Sequence, residues 1–197
     1  MKLGITGGIG SGKTSVCRVF NVLGISVFSA DAEAREIMDS DPEIIEKVKR
    51  ITGTDLYASG SLARMELAGL IFNNENLLKE INAVVHPVVF EHFRIWEKSV
   101  SAPYVIMEAA ILFESRASEL VDRIVTVVAP VEERIERVVR RNNLTREQVI
   151  SRMKNQLNDE DKIRRSDYII YNSEHEMIIP SILKIHEEII LLTKAGI

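Results

Sequence analysis

The feature that most constrains the fold is a glycine-rich loop near the start of the chain. Residues 7–14 read Gly-Gly-Ile-Gly-Ser-Gly-Lys-Thr, which matches the pattern G-x-x-x-x-G-K-[ST] in full. The apolar run Lys2–Thr6 before the loop predicts a buried strand, and the pattern after it predicts a helix from Lys13. A strand, this loop and a helix in that order predict a binding site for nucleotide phosphates.

The residue types of the loop indicate how it would bind phosphate. Glycines let the backbone turn its N–H groups inward, and the following helix adds its positive N-terminal end. Lys13 is expected to reach the β- and γ-phosphates of ATP, and the Thr14 hydroxyl is expected to ligate Mg²⁺. The loop residues predicted to bind ATP are Gly8, Gly10, Ser11, Gly12, Lys13, Thr14 and Ser15.

Four further apolar runs rich in Val, Ile and Tyr predict strands, and helical patterns alternate with them. This alternation favours a five-stranded parallel sheet covered on both faces, in the α/β class with a P-loop NTPase fold. The runs cover residues 25–29, 104–107, 124–128 and 168–171.

The connection between the second and third predicted strands is too long for a single crossover helix. It runs from about residue 32 to 103 and carries helical patterns that open at Asp41-Pro42 and at Ser61. A later helix is expected to break at Pro87, with another following it. We therefore expect a nucleotide-binding core of residues 1–31 and 104–197, with residues 32–103 as a helical acceptor-binding insert.

Two carboxylates are predicted at the carboxyl ends of strands, where open α/β sheets bind their ligands. Asp31 follows the second strand, where it could orient an attacking hydroxyl and take its proton. Glu108 follows the third strand and is a candidate to hold Mg²⁺ directly or through water. Each is open to the simpler interpretation of a helix cap or a surface acid.

A basic segment follows the fourth predicted strand. Residues 134–165 contain ten Lys or Arg and five Asp or Glu, and capping boxes are predicted at Thr145 and Ser173. Such a segment can form a helical lid that neutralises charge on a triphosphate and excludes water. The alternative is a solvated helical face with i,i+4 ion pairs.

Composition excludes several classes of protein. The net charge of −4 over 197 residues gives no reason to expect nucleic acid or an anionic membrane as a partner. Cys17 is the only cysteine, so no internal disulfide can form, and we expect it to be a small core residue of the first helix. The chain lacks a membrane-spanning run and a signal-peptide pattern, so a cytoplasmic protein is expected, a monomer by default.

Together, these motifs resemble the dephospho-CoA kinase family over nearly the whole chain. The opening run from Gly4 to Lys13 matches the first motif of the family. Shorter matches follow in the family's order and spacing. They are Asp31 with Arg35, Leu62 to Phe72 with Arg64, Ile81-Asn82 with His86-Pro87, Leu112-Phe113-Glu114, Arg137 with Arg141, Arg152 with Gln156, and Asp167 with Asn172.

The resemblance implies that MgATP phosphorylates the ribose 3′-hydroxyl of dephospho-CoA, the last step of coenzyme A synthesis. It implies Asp31 as the base, with Lys13 and Arg141 as further catalytic residues. It places the adenine of ATP near Asn172, and the exact lid arginine is open among Arg137, Arg140 and Arg141. The acceptor contacts that it implies are Asp31, Arg35, Arg64 and His86.

The chain departs from the family pattern at four positions. Ser29 stands where an aspartate is usual, and Arg134 replaces a usual glutamine. Glu108 and Ala110 replace a common aspartate and proline. The end of the third strand is therefore expected to bend differently in this chain.

Two other functions are compatible with parts of the pattern. Another P-loop small-molecule kinase, acting on a nucleoside monophosphate or a shikimate-like alcohol, would share the fold. A nucleotide-dependent switch or binding module is the second alternative, but the N-K-x-D tetrapeptide that a GTPase uses to read its base does not occur in the sequence.

Overall fold

A computed structural model of the protein describes residues 1–72, 74–142 and 144–196. Within these residues the protein has one sheet of five strands in the order β2-β3-β1-β4-β5, and every pairing is parallel. The predicted α/β class and parallel sheet are confirmed. The strands are β1 Lys2–Thr6, β2 Val27–Ser29, β3 Val105–Glu108, β4 Arg123–Val128 and β5 Tyr168–Tyr171.

The described chain divides into two compact units. The first contains Met1–Ser29 and the described residues from Trp96 onward, and the second contains Ala30–Ile95. The sheet belongs to the first unit, and the second unit is helical.

The core of the first unit lies between the sheet and the helices α1 (Lys13–Val22) and α9 (Ile178–Ala195). Three isoleucines of α9 are buried in this core, namely Ile182, Ile185 and Ile189. Their spacing of three and four residues places them on one face of the helix.

Among the described residues, three helices follow β4 before the chain enters β5. They are α6 Val131–Asn142, α7 Arg146–Lys154 and α8 Asp159–Arg164. The predicted capping box at Thr145 is confirmed, with its hydroxyl accepting from Gln148 N. The capping box predicted at Ser173 is wrong: α9 begins at Ile178, and the Ser173 carbonyl instead accepts from Glu176 N to close a turn.

The helices of the second unit differ from the sequence prediction at two points. The helix expected from Ser61 begins at Arg64, because the chain first turns back and Ala63 N donates to Leu56 O at 2.8 Å. The break expected at Pro87 is absent, since the described helix α5 runs through it from Glu75 to Ser99. Buried Val85 and Val89 lie on either side of the proline, and packing there outweighs its cost of about 3 kcal/mol. The helices are α2 Ala30–Ser40, α3 Pro42–Thr52, α4 Arg64–Phe72 and α5 Glu75–Ser99, the last of which extends into the first unit.

The second strand starts later than predicted. β2 begins at Val27 instead of residue 25 and ends at Ser29, so that Asp31 lies in the first turn of α2. A carboxylate there interacts favourably with the positive end of the helix.

In the described part of the chain, no helix combines the length and the apolar character that crossing a bilayer requires.

Candidate active site

The phosphate loop, residues Gly7–Thr14, connects the end of β1 to the start of α1. Gly12 precedes the helix with a φ of 96°, a left-handed conformation that favours glycine. A Cβ at Gly12 would lie 1.9 Å from Asn172 Nδ2, and a Cβ at Gly8 would lie 1.9 Å from Arg134 Nη2. A side chain at either position would therefore displace Asn172 or Arg134 from the loop.

Backbone donors of the loop are partly used within it. Ser11 N donates to Gly8 O at 3.1 Å and Ser15 N donates to Gly12 O at 2.9 Å. Lys13 and Thr14, in the first turn of α1, have N–H groups without an intrahelical partner, as at any helix N-terminus. This end of α1 is therefore suited to bind an anion.

Lys13 and Glu108 form a buried pair at the base of the loop. Lys13 Nζ donates to Gly7 O at 3.0 Å and lies 4.0 Å from Glu108 Oε1. The sheet register places Glu108 of β3 beside Ile5 of β1, which comes just before the phosphate loop, and beside Ser29 of β2. Ser29 Oγ donates to Glu108 Oε2 at 2.9 Å.

Polar side chains of this region fit a phosphate group and a hard cation. Ser11 Oγ and Thr6 Oγ1 are buried and have no hydrogen-bond partner among the described residues. The Thr14 hydroxyl and the Glu108 carboxylate offer the oxygen ligands that Mg²⁺ prefers. Among the described residues, no group of three or more His, Cys, Asp or Glu could hold a metal ion by itself, but Mg²⁺ at nucleotide sites is held by few protein ligands together with phosphates and water.

The arginines of α6 differ in their environments. Arg134 is buried; its Nε donates to Ile9 O at 3.0 Å and its Nη1 to Asp159 Oδ2 at 2.7 Å. Arg137 Nη1 donates to Asn172 O at 3.0 Å. Arg141 is exposed in the last turn of the helix, where its Nε donates to Asn142 Oδ1. Arg134 therefore contacts the phosphate loop, and Arg137 contacts Asn172, the residue after β5. Arg141 lies on the surface.

A cavity of about 380 Å³ lies at the carboxyl ends of β4 and β5. Asn172 connects this cavity to the phosphate loop, because its Nδ2 donates to Ser11 O at 2.7 Å. The cavity is lined by Val128, Ala129, Pro130, Val131, Tyr171, Asn172, Ser173 and Glu176.

The four predicted acceptor-binding residues all belong to the second unit. Arg64 Nη2 donates to Arg35 O at 3.1 Å and also pairs with Asp39. Burial lowers the pKa of His86, and the negative charge of Asp31 opposes this shift. Arg35 and Arg64 are therefore neighbours, and Asp31 and His86 interact electrostatically.

Two side chains at this site had no predicted role. Gln156 Oε1 accepts from Ile9 N at 2.9 Å, and Lys162 Nζ donates to Ala110 O at 3.3 Å. The resemblance included Gln156 in a motif, and Lys162 was counted in the basic segment. Neither signal indicated that these residues contact the phosphate loop and the loop after β3.

Comparison with known proteins identifies close relatives. A family model for dephospho-CoA kinase matches residues 1–177. A dephospho-CoA kinase of Bacteroides fragilis is 39% identical over 186 residues, which cover 94% of this chain and 91% of the relative. A dephospho-CoA kinase of Corynebacterium diphtheriae is 38% identical over 175 residues, covering 87% of this chain and 88% of the relative.

Two solved structures are similar to this chain over most or all of its length. Protein TT1252 of Thermus thermophilus has a TM-score of 0.84 and 33% identity, covering 95% of this chain and 96% of that one. A dephospho-CoA kinase of Campylobacter jejuni has a TM-score of 0.67 and 25% identity over the whole of both chains.

Proposed function

We propose that the chain, which belongs to the dephospho-CoA kinase family, transfers the γ-phosphate of ATP to the ribose 3′-hydroxyl of dephospho-CoA. The products are CoA and ADP, and the reaction is the last step of CoA biosynthesis. The observation that carries this proposal is the phosphate loop between β1 and α1, with buried Lys13 at its base, inside the region that the family model matches.

The phosphate loop would hold the triphosphate of ATP. Its glycines at positions 8, 10 and 12 leave the backbone open to phosphate oxygens, and α1 directs its N-terminal N–H groups to the same place. Lys13 lies at the base of the loop beside Glu108. Its flexible side chain can move its charge to the β- and γ-phosphates, where it offsets the charge that develops during transfer.

A magnesium ion would be held by the Thr14 hydroxyl and the Glu108 carboxylate. Held there, Mg²⁺ would neutralise part of the negative charge of the phosphates during transfer. The Ser29 hydroxyl, which donates to Glu108 Oε2, would fix the orientation of this carboxylate.

Asp31 is proposed as the base that takes the proton of the ribose hydroxyl. It lies in the first turn of α2, two residues after Ser29 along the chain. Residues 32–103 would bind the acceptor, with Arg35 and Arg64 as cations for its diphosphate. His86, whose pKa is lowered by burial, would act there as a neutral hydrogen-bonding group.

The cavity beside Asn172 is proposed to bind the adenine of ATP. Its volume of about 380 Å³ is of the order found for small-molecule sites. Pro130 and Val131 supply apolar surface for the ring, and Asn172 connects the ring site to the phosphate loop.

Residues 134–165 are proposed to cover the phosphates as a lid. Arg137, which bonds to the Asn172 carbonyl, would bind ATP in the ground state. Arg141, exposed at the end of α6, would contribute its charge in the transition state.

A coupled assay of ADP release tests the proposed function. Purified protein with MgATP is expected to release ADP in proportion to added dephospho-CoA, and mass spectrometry should find CoA. A nucleoside monophosphate and shikimate serve as control acceptors. Phosphorylation of either control, without turnover of dephospho-CoA, would overturn the proposal. We further propose a cytoplasmic monomer that acts on small molecules and binds neither nucleic acid nor membrane.

A further inference from the structure

Ile9, at the crest of the phosphate loop, has both polar groups of its backbone bound to side chains from outside the loop. Its N–H donates to Gln156 Oε1 at 2.9 Å, and its carbonyl accepts from Arg134 Nε at 3.0 Å. Gln156 lies between α7 and α8, and Arg134 lies in α6. The crest of the loop is therefore fixed by the basic segment that follows β4.

The amide of Gln156 joins two loops. While its oxygen accepts from Ile9, its nitrogen lies 3.5 Å from the carbonyl oxygen of Ala110, to which it donates. Ala110 belongs to the loop after β3, two residues beyond Glu108. One side chain thus holds the phosphate loop next to the loop that follows Glu108.

Lys162 reaches the same carbonyl from α8. Its Nζ donates to Ala110 O at 3.3 Å and lies 3.7 Å from Glu114 Oε1. Glu114 also accepts from Leu157 N at 2.7 Å, so the loop after β3 is connected to the α7–α8 segment at a further point.

The ammonium of Lys162 is completely buried, with an exposed fraction of 0%. Burial lowers its pKa, the charge of Glu114 opposes that shift, and the charge of Lys13 adds to it. A buried cation is costly unless it is paired and hydrogen-bonded, and replacing such a group with an apolar one often does not destabilise a protein. A role beyond stability would account for this lysine.

Lys162 is also one of three basic residues among those described that are buried, the others being Lys13 and Arg134. All three contact the phosphate loop or the loop after β3. The fold therefore concentrates its buried positive charge where the proposed function places a triphosphate.

We propose that Gln156 and Lys162 are positioning residues for ATP, which hold the phosphate loop against the loop after β3 through the carbonyl of Ala110. Neither side chain needs to touch the nucleotide. They set the geometry of the loop N–H groups, which would bind the phosphates, and of Glu108, which would hold Mg²⁺. This inference rests on the proposed function only in taking ATP as the ligand of the loop.

The test compares three variants in the full-length protein. Gln156→Met and Lys162→Met replace each positioning side chain with an apolar one of similar length. Lys184→Met removes an exposed lysine of α9, outside the proposed lid and the insert, and is the matched control. For each variant, calorimetry gives the Kd for MgATP, steady-state kinetics gives the KM for dephospho-CoA, and thermal unfolding gives the Tm without ligand.

Gln156→Met and Lys162→Met are expected to weaken MgATP binding by roughly tenfold to a hundredfold, because small displacements of positioned groups are costly. The KM for dephospho-CoA and the properties of Lys184→Met should stay within about twofold of the wild type. A merely structural role would lower Tm and leave the Kd for MgATP unchanged in the folded variants, which would overturn the proposal.

Two further outcomes would still decide the role of Gln156 and Lys162. If Lys162→Met does not fold, Gln156→Met decides the question, because its side chain is only partly buried. If the wild type binds MgATP but does not turn over dephospho-CoA, the proposed acceptor is wrong, and the comparison of Kd values still decides the role of the two residues.

Discussion

The hydroxyl of Ser29 donates to the carboxylate of Glu108 at 2.9 Å across the paired strands β2 and β3. These are two of the positions at which the chain departs from the pattern of its family. A short hydroxyl faces a longer carboxylate, where aspartate is usual at both positions. The two departures therefore lie in contact, and the longer side chain of Glu108 makes up for the shorter side chain of Ser29.

This contact predicts that the two positions are energetically coupled. Ser29→Asp should lower the free energy of unfolding by roughly 1–3 kcal/mol and reduce turnover, because it places a second carboxylate against buried Glu108. Adding Glu108→Asp should recover part of the loss, since it withdraws one carboxylate by a methylene group. Denaturant unfolding of the two single variants and the double variant gives the coupling energy, expected at about 0.5–3 kcal/mol.

The control for this cycle is Ser29→Ala, which removes the hydrogen bond without adding charge. It should cost less than Ser29→Asp. If the two single effects simply add in the double variant, the positions are independent and the compensation argument fails.

Lys13→Ala is expected to reduce turnover by roughly 10³-fold, because it removes the cation at the base of the phosphate loop. ADP release at saturating substrates measures the effect. Lys79→Ala, which removes a lysine whose side chain is 74% exposed, is the control and should behave like the wild type. Near-normal turnover of Lys13→Ala would refute the assignment of the phosphate loop.

Cys17 predicts a specific dependence of stability on pH. Burial, with a further contribution from the charge of Glu108, raises the pKa of its thiol from 9.0 to about 12. Below pH 9.0 the thiol is protonated in both states, so it has no effect on the pH dependence of stability. Above that pH it ionises only in the unfolded chain, and stability falls by about 1.4 kcal/mol per pH unit until the folded thiol also titrates.

The measurement is the free energy of unfolding in guanidinium for the wild type and for Cys17→Ala, between neutral pH and about pH 10. The substitution should change stability by a constant amount up to pH 9.0 and should remove the additional loss above it. Parallel curves over the whole range would show that the thiol is not protected by the fold.

Local sequence signals were sufficient for the sheet and for the phosphate loop. The loop pattern determines its own geometry, since Gly12 has a positive φ that favours glycine. Thr145 and Gln148 form a capping box because both partners lie within four residues of each other. Predictions of this kind depend on neighbours along the chain, and the sequence contains them.

Predictions failed where distant packing decides the outcome. Pro87 is a helix breaker by propensity, yet buried residues on both sides of it keep α5 continuous. The sequence also did not predict that Arg134 is buried, with its guanidinium bound to Ile9 O and Asp159 Oδ2. Nothing in the basic segment itself distinguishes this arginine from the exposed Arg140, because the partners lie 125 and 25 residues away.

Asp31→Asn is expected to reduce turnover by roughly 10²–10⁴-fold, because the amide cannot take the proton of the ribose hydroxyl. The Kd for MgATP should be unchanged, since Asp31 lies outside the phosphate loop. Glu36→Gln, which neutralises an exposed carboxylate of the same helix, is the control. Unchanged turnover of Asp31→Asn would remove this residue from the mechanism.

The last prediction concerns the arginines at the end of α6. Arg141→Ala should lower kcat by more than it raises the Kd for MgATP, because a charge that acts on the transition state contributes little to ground-state binding. Arg137→Ala should show the opposite balance, since Arg137 already bonds to the Asn172 carbonyl beside the proposed adenine cavity. Single-turnover rates with calorimetric Kd values separate the two effects.

Arg140→Ala, on the adjacent exposed position, is the matched control. If Arg140→Ala loses kcat and Arg141→Ala does not, the roles of these neighbours are exchanged. If Arg141→Ala weakens only MgATP binding, it is a binding residue, and the transition-state charge must come from another cation of the segment.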